Sequence, residues 1–493
     1  MALRRRFHIR TYGCQMNVHD SQKVAALLTR AGYRAAEDPE QADLLIVNTC
    51  SIREKAEHRL YTDLGRLREW KERRAGRVLG VAGCVAQQEG DAILRRFAAV
   101  DFVYGTHNLR LVPALAAAAE QGERSLRIEE SRSLERFDLP QHHPDLPSET
   151  PGRAFVTAME GCDMFCTFCV VPNTRGREIS RPAAGIAAEV ESLAAAGVRE
   201  ITLLGQTVNA YGRHDVRRGR APKAGTESFA ALLRRLARVP GIERIRYTSP
   251  HPSFFDDELV RAHGELEVLC PHVHLPAQSG SDAVLARMRR PYSAAAYRAL
   301  CERLRAARPD VALTTDLIVG FPGESDADFA ATLALMSDVG FVDAYTFKYS
   351  PRPGTPAAGL DSPVEPAVAQ ARLEELQRLQ RSLTLDAHRR RVGSETEVLV
   401  EGESRRGAGQ ASGRDPYHRV VNVAAEAETA GLRSPAARRA RLAAPGDVVR
   451  VRVVDATPHS LIGEPVSPPR RLAEFGLKNT AIRADEEKWS ALL

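Results

Sequence analysis

Residues 161–169 read Gly161-Cys162-Asp163-Met164-Phe165-Cys166-Thr167-Phe168-Cys169, three cysteines in the spacing C-x3-C-x2-C just after a short apolar run at Ala154 to Thr157. Three thiolates on one short loop can bind three irons of a four-iron cluster and leave the fourth iron open, because soft sulfur ligands favour such clusters. A structural zinc would want a fourth protein ligand from a second pair, and no nearby C-x2-C or C-x-H supplies one.

The elements around this loop set the scaffold. Downstream of Ala154 to Thr157, further strand-like runs follow at Ile201 to Leu204, Arg244 to Tyr247, His272 to Leu275, Leu313 to Val319 and Ala344 to Lys348, with helical stretches between them. Six such units predict an open partial (β/α)6 barrel over 148–390, with its site at the carboxyl ends of the strands. Upstream, Phe7 to Tyr12, Leu44 to Val47, Val78 to Val81 and Phe102 to Tyr104 alternate with helical patterns at Val18 to Ala31 and Glu54 to Trp70. That alternation predicts an N-terminal parallel α/β domain, 5–121. The polar stretch from Gln121 to Arg153, carrying Pro140, Pro144, Pro147 and Pro151, has the composition of a linker. Beyond the barrel, a long helical segment from Val364 to Arg391 leads into strands at Glu397 to Val400, Arg419 to Val423 and Val448 to Val454, a small β-barrel over 391–465. The tail, 466–493, is weakly patterned and expected to be peripheral. The fold class is α/β, with this small barrel appended.

Composition narrows the function classes. A chain of 493 residues divides naturally into about three domains, and 43% hydrophobic with 27% charged residues describes a globular protein. No continuous apolar stretch approaches membrane-spanning length, and the basic triplet Arg4 to Arg6 has no apolar signal segment behind it, so the cytoplasm is expected. Eight widely spread cysteines are too few for a disulfide framework and read instead as ligands or catalysts. The net charge of +6 is compatible with a polyanionic partner without demanding one.

Three scattered cysteines form a second group. Singly, Cys14, Cys50 and Cys84 would be buried core residues. Together, as Gly13-Cys14, Asn48-Thr49-Cys50 and Gly83-Cys84, each lies just past a strand end at the same edge of one predicted sheet. That placement would gather three thiolates for a second four-iron cluster, again with an open iron.

The loop at Cys162, Cys166 and Cys169, with aromatic Phe168 before its last cysteine, resembles the cluster motif of the radical-SAM superfamily. The resemblance implies that S-adenosylmethionine chelates the open iron and is split to a 5′-deoxyadenosyl radical. The segments 11–17 (Thr11-Tyr12-Gly13-Cys14-Gln15-Met16-Asn17), 48–56 (from Asn48 to Ala56), 161–172, 274–282 (from His274 to Asp282), 318–324 and 350–356 resemble the methylthiotransferase family of that superfamily. This implies two [4Fe-4S] clusters and two uses of S-adenosylmethionine. One molecule methylates a sulfur carried at the Cys14, Cys50, Cys84 cluster; another supplies the radical that takes hydrogen from carbon 2 of an adenine. The 48–56 segment is closest to the branch acting on isopentenylated adenosine at tRNA position 37. It argues against the branches acting on threonylcarbamoyl-adenosine and on a ribosomal-protein aspartate. A reduced donor of flavodoxin or ferredoxin type and a monomeric state are expected, with the sulfur donor open. An RNA-binding protein with structural clusters is the reading from another class, and two triads each short of one ligand count against it. The C-terminal barrel resembles the TRAM module, of oligonucleotide-binding type, which binds tRNA. Asp163, Thr207 and Pro291 depart from the family pattern.

Gly205, Gln206 and Asn209, Gln278 and Ser279, and Ile318 and Gly320 end three barrel strands and are cofactor-binding candidates with Phe168; otherwise they turn the chain. Cys270 and Cys301 lack partners at ligand spacing and read as buried thiols. Arg175, Arg177 and Arg181 could meet substrate phosphates or form ion pairs. The insert from Arg213 to Lys223 and the group Arg438, Arg439 and Arg441 are further basic candidates. From Arg391 to Arg470 twelve basic residues face ten acidic ones, so local grouping must do any electrostatic work.

Overall fold

The computed structural model describes residues 5–51, 54–139, 151–213, 227–404, 410–423 and 443–471. Its first domain is a six-stranded, all-parallel sheet. The strands are β1 (Arg6–Tyr12), β2 (Arg34–Ala35), β3 (Leu44–Thr49), β4 (Val78–Gly83), β5 (Phe102–Tyr104) and β6 (Ser125–Arg127), in the order β2-β1-β3-β4-β5-β6. Every residue of β3 and β4 is buried, as a parallel sheet covered on both faces requires. The pleat sends Leu44 and Ile46 to one face and Leu45 and Val47 to the other. On the first face they meet Val24 and Leu28 of helix α1 (Gln15–Arg30) and Val112 and Leu115 of α4 (Val112–Glu120). On the second they meet Leu60 and Leu64 of α2 (Glu54–Glu72) and Val85 and Ile93 of α3 (Cys84–Arg96).

The stretch after Gln121 is not all linker. β6 pairs with β5 in parallel, and Phe137, in the turn Leu134–Phe137, is buried. A three-residue edge strand is too short to show periodicity, which is why composition alone reads it as connection. The prolines at 140, 144 and 147 lie outside the described residues.

In the central domain, β7 (Arg153–Thr157), β10 (Glu200–Leu204) and β11 (Arg244–Tyr247) form one parallel sheet, ordered β11-β10-β7. β12 (His272–His274), β13 (Ala312–Val319) and β14 (Asp343–Lys348) form another. The halves meet where Ile245 bridges Leu269, its N–H donating to the Val268 carbonyl at 2.7 Å. The result is the expected open barrel of six parallel strands. Val156, Ile201, Leu203, Ile245, Val273, Leu313 and Leu317 pack under Ile186, Val190, Leu232, Leu300, Leu304 and Leu335 of the covering helices. The helix Asp326–Val339 shows how sharply such elements are delimited: Ser325 and Asp328 form a reciprocal capping box, and Gly340 closes it at φ 60°. A two-stranded ribbon, β8 (Met159–Glu160) with β9 (Ile179–Ser180), flanks the cysteine loop.

The helix Pro366–Arg389 leads into a closed barrel of β15 (Glu395–Glu403), β16 (Ala411–Arg414), β17 (Val420–Val423), β18 (Val448–Ala456) and β19 (Leu461–Pro465), in the order β15-β16-β17-β19-β18. Its core is Val398, Val400, Val421, Val423, Val449, Val451, Val453 and Leu461. β16 has no apolar alternation because Gly413 lies against the Leu399 carbonyl, where an added Cβ would overlap it. The start of the tail is not peripheral. Arg470 bridges to Val448 and makes a two-pronged ion pair with Glu243 at 2.6 and 2.7 Å. No helix among the described residues is long and apolar enough to cross a membrane.

Candidate cluster sites

The register of the N-terminal sheet sets the first site. Tyr12 pairs with Thr49, and Thr49 pairs with Gly83, so β1, β3 and β4 end level. Cys50 and Cys84 follow directly, and Cys14 follows two residues on, as the residue capping α1. Cys84 opens α3 behind Gly83, whose φ is 93°. Glycine is required here and at Gly13. A Cβ on Gly83 would overlap Asn48 Oδ1 and the Thr49 carbonyl, and one on Gly13 would overlap Cys50 Cβ. Asn17 Nδ2 donates to Asn48 Oδ1 at 3.0 Å, Asn48 Nδ2 donates back to the Asn17 carbonyl at 2.9 Å, and the Cys14 thiol donates to Asn17 Oδ1 at 3.2 Å.

Cys50 lies between the other two thiols, hydrogen-bonded to each. Hydrogen bonding from Cys50 pulls the Cys14 and Cys84 thiols down, against burial and with help from the charge of Arg175. Cys50, which shares its hydrogen bonding with both and is buried, is pushed up. Cys14 and Cys84 also sit at helix N-termini, whose dipoles favour thiolate. A site that stabilises thiolates side by side is suited to receive cations.

The second site is the 162–169 loop. Gly161, at φ 82°, donates its N–H to Gln206 Oε1 at 2.5 Å, and a Cβ there would overlap the Arg177 carbonyl. Cys162 N–H donates to the Gly176 carbonyl at 3.1 Å, while its sulfur lies 3.1 Å from Thr207 Oγ1. Thr167 ties the loop to Arg287 and Met288, through Oγ1 at 2.8 Å and N–H at 3.1 Å. Arg290 Nη1 donates to Cys166 Sγ at 3.4 Å and its Nε to the Tyr292 hydroxyl at 2.8 Å. Burial pushes the Cys162 thiol up to about 11 and the Cys169 thiol up to about 12. These buried thiols ionise only with a cation beside them, as a cluster would provide. Among the described residues no group of three His, Cys, Asp or Glu is set to close round a single metal ion.

The cofactor candidates are placed at this rim with distinct duties. Phe168 packs edge-on to Phe321, ring centroids 6.5 Å apart, in a small apolar group with Ile318. Asn209 spends both ends of its amide on the backbone of His251, at 2.8 and 2.9 Å. Ser279 Oγ accepts from Ser281 N–H at 3.1 Å and lies 3.3 Å from Thr332 Oγ1. Gln278, at φ 70°, bridges to β13 through its main chain. Gly320 N–H donates to Glu324 at 2.7 Å, and Gly205 turns tightly against Met159 and Val208.

Two of the three arginines after the loop do not face outward. Arg175 pairs with Asp20 at 2.7 Å and Arg181 with Glu189 at 2.8 Å, both pairs buried, so neither is a phosphate-binding side chain. Arg177 is more open: it pairs with Asp163 at 2.5 Å and lies 5.0 Å from the centroid of Phe165, itself 44% exposed. Sequence reading missed Arg290, whose signal is the run Arg289-Arg290-Pro291, and the Asn17–Asn48 pair, for which there is no local signal. Cys270 and Cys301 are buried, as expected. Residues 214–223 and Arg438, Arg439 and Arg441 lie outside the described residues.

Comparison with known proteins places these sites in context. Residues 6–105 match the model described as Uncharacterized protein family UPF0004, residues 156–336 the Radical SAM superfamily, and residues 389–466 the TRAM domain. The chain is 49% identical to the tRNA-2-methylthio-N(6)-dimethylallyladenosine synthase of Geobacter sulfurreducens, over 86% of this chain and 92% of that protein. It is 47% identical to the synthase of the same name from Cereibacter sphaeroides, over 94% of this chain and 99% of that protein. Among solved structures, the radical S-adenosylmethionine methyltransferase TsrM from Kitasatospora setae, with cobalamin and a [4Fe-4S] cluster bound, aligns with a TM-score of 0.53. It covers 72% of this chain and 74% of that one at 15% identity, a likeness of fold.

Proposed function

The chain belongs to the tRNA-2-methylthio-N(6)-dimethylallyladenosine synthase family, an enzyme family of the radical SAM superfamily, and from that premise we propose that it methylthiolates carbon 2 of N6-isopentenyl-adenosine at position 37 of tRNA. The observation that carries the proposal is the convergence of Cys14, Cys50 and Cys84 at the level ends of β1, β3 and β4. That arrangement, which the core and RNA-binding modules alone would not need, gives the chain a place for a second sulfur-rich group.

Cys162, Cys166 and Cys169 would hold one [4Fe-4S] cluster and Cys14, Cys50 and Cys84 a second. When bound, the first would supply the electron that splits S-adenosylmethionine and the second the sulfur. This chain's own residues position and shelter that chemistry. Gln206, Thr207 and Thr167 clamp the cysteine loop at three points, fixing where its open iron would face. Phe168, Ile318 and Phe321 pack as an apolar group that would keep water from the radical. Gly205, Asn209, Gln278, Ser279 and Gly320 shape the strand-end rim against which S-adenosylmethionine would lie. The TRAM barrel would bind the tRNA. A flavodoxin- or ferredoxin-type reductant, a monomeric state and the cytoplasm complete the reading.

Recognition of the isopentenyl group gives the test. Its branched apolar chain, once buried near the radical site, contributes roughly 2 to 3 kcal/mol, so tRNA carrying unmodified adenosine should react about thirty-fold more slowly or worse. Reconstituted enzyme, dithionite and S-adenosylmethionine with the two tRNAs, followed by nucleoside mass analysis, reads this directly. Equal rates on both would reject the substrate.

A further inference from the structure

We propose that Arg175, a residue of the radical SAM domain, is a positioning residue for the other domain's cluster, its guanidinium donating to sulfur at Cys84 and Cys14 and holding that cluster at a higher potential. The inference rests on the reading of Cys14, Cys50 and Cys84 as cluster ligands.

Arg175 ends the short helix α5 (Val171–Arg175), which begins two residues after Cys169. Its side chain is only 3% exposed. One amino group, Nη2, donates to Asp20 of α1 at 2.7 Å; the other, Nη1, is buried without a hydrogen-bond partner. A buried guanidinium donor left without an acceptor is costly, and cysteine sulfur is the acceptor within its reach. What lies beside it is the triad: α5 packs against α3, the helix that Cys84 opens, and Asp20 stands on α1, the helix that Cys14 caps.

The helix end is pinned so that this side chain has little choice of position. Thr106 Oγ1 donates to the Thr174 carbonyl at 2.7 Å. His107 Nδ1 accepts from Ser131 N–H at 3.0 Å, which leaves the proton on Nε2, and Nε2 lies 2.9 Å from the Arg175 carbonyl it donates to. Burial lowers the His107 pKa and so favours this neutral form. Around this point the Arg136–Glu160 ion pair and Lys23, whose Nζ lies 3.1 Å from Thr157 Oγ1, fill the rest of the interface. The radical SAM domain thus delivers one fixed guanidinium to the N-terminal sulfur site, its charge offset in part by Asp20. Positive charge and N–H donors at cluster sulfur stabilise the more negative, reduced state.

The test uses full-length protein in which Cys162, Cys166 and Cys169 are alanine, so that the remaining iron reports the N-terminal cluster alone. Arg175→Met and Arg175→Lys are made in that background, reconstituted anaerobically and titrated for midpoint potential by electron paramagnetic resonance. The expected result is a shift to more negative potential in Arg175→Met and its reversal, in most part, by Arg175→Lys. Loss of iron in Arg175→Met with retention in Arg175→Lys would equally support the role, because the two side chains are of similar length and only Lys keeps a charge and N–H donors. Unchanged potential with iron retained would overturn it, as would loss of iron in both variants, which marks a strut of the interface. A background protein without any iron would instead overturn the ligand reading of Cys14, Cys50 and Cys84, and the proposal with it.

Discussion

Replacing Cys14, Cys50 and Cys84 together by alanine should leave formation of 5′-deoxyadenosine running while product methylthio-adenosine falls to background. The separation follows from construction. The triad stands on β1, β3 and β4 of one sheet, whereas the loop that would split S-adenosylmethionine is clamped by Gln206, Thr207 and Thr167 to barrel elements. Alanine at the three sites removes sulfur from a site whose backbone is fixed by strand pairing, so the barrel keeps its shape. Replacing Cys162, Cys166 or Cys169 singly should stop both products, because two thiolates no longer hold the open-iron arrangement. Both products are quantified in one anaerobic incubation with isopentenylated tRNA. Normal methylthiolation by the Cys14, Cys50, Cys84 variant would remove the sulfur-carrying role and return those residues to core packing.

Glu200→Gln should be the most damaging single change outside the clusters, costing about 3–5 kcal/mol of stability. Glu200 on β10 is 2% exposed and sits among three guanidiniums: Arg246 at 3.0 Å, Arg153 at 3.3 Å and Arg244 at 3.6 Å. Burial alone would raise its pKa, but Arg246, Arg153 and Arg244 outweigh that and hold it at about 2. The three arginines then reach the C-terminal barrel: Arg246 to the carbonyls of Asp415 and Pro416, Arg244 to those of Glu397 and Arg414, and Arg153 to Glu401. Neutral glutamine leaves buried positive charge facing itself and loosens the seam between the two domains. Because the folded pKa is depressed, the contribution of Glu200 is complete above the ordinary carboxylate range and is lost as pH falls toward about 2. Urea unfolding at neutral pH and at pH 3, wild type against Glu200→Gln, should therefore show a gap that narrows with acid. A gap that stays constant would deny that ionised Glu200 holds the seam.

The long-period features of this fold were legible in the sequence because each rests on many residues. Six parallel barrel strands, the buried β3 and β4 and the long helix Pro366–Arg389 all carry continuous apolar or helical pattern. The cysteines were legible because their spacing and their glycine neighbours are local; Gly13 and Gly83 mark the close approach that the packed sheet edge demands. What escaped is short or long-range. β6, β8 and β9 have two or three residues each, and β16 is held by a glycine contact instead of apolar alternation. The Asp20–Arg175 ion pair joins residues on different domains, so no window of sequence contains it, and Arg175 was indistinguishable from a surface arginine until α5 was seen to dock.

Iron content puts the central claim to its most direct test. Anaerobically reconstituted wild-type protein should hold about eight irons per chain, and each triple variant, of Cys14, Cys50 and Cys84 or of Cys162, Cys166 and Cys169, about four. A wild-type value that stays near four (~4), unchanged by alanine at Cys14, Cys50 and Cys84, would contradict it.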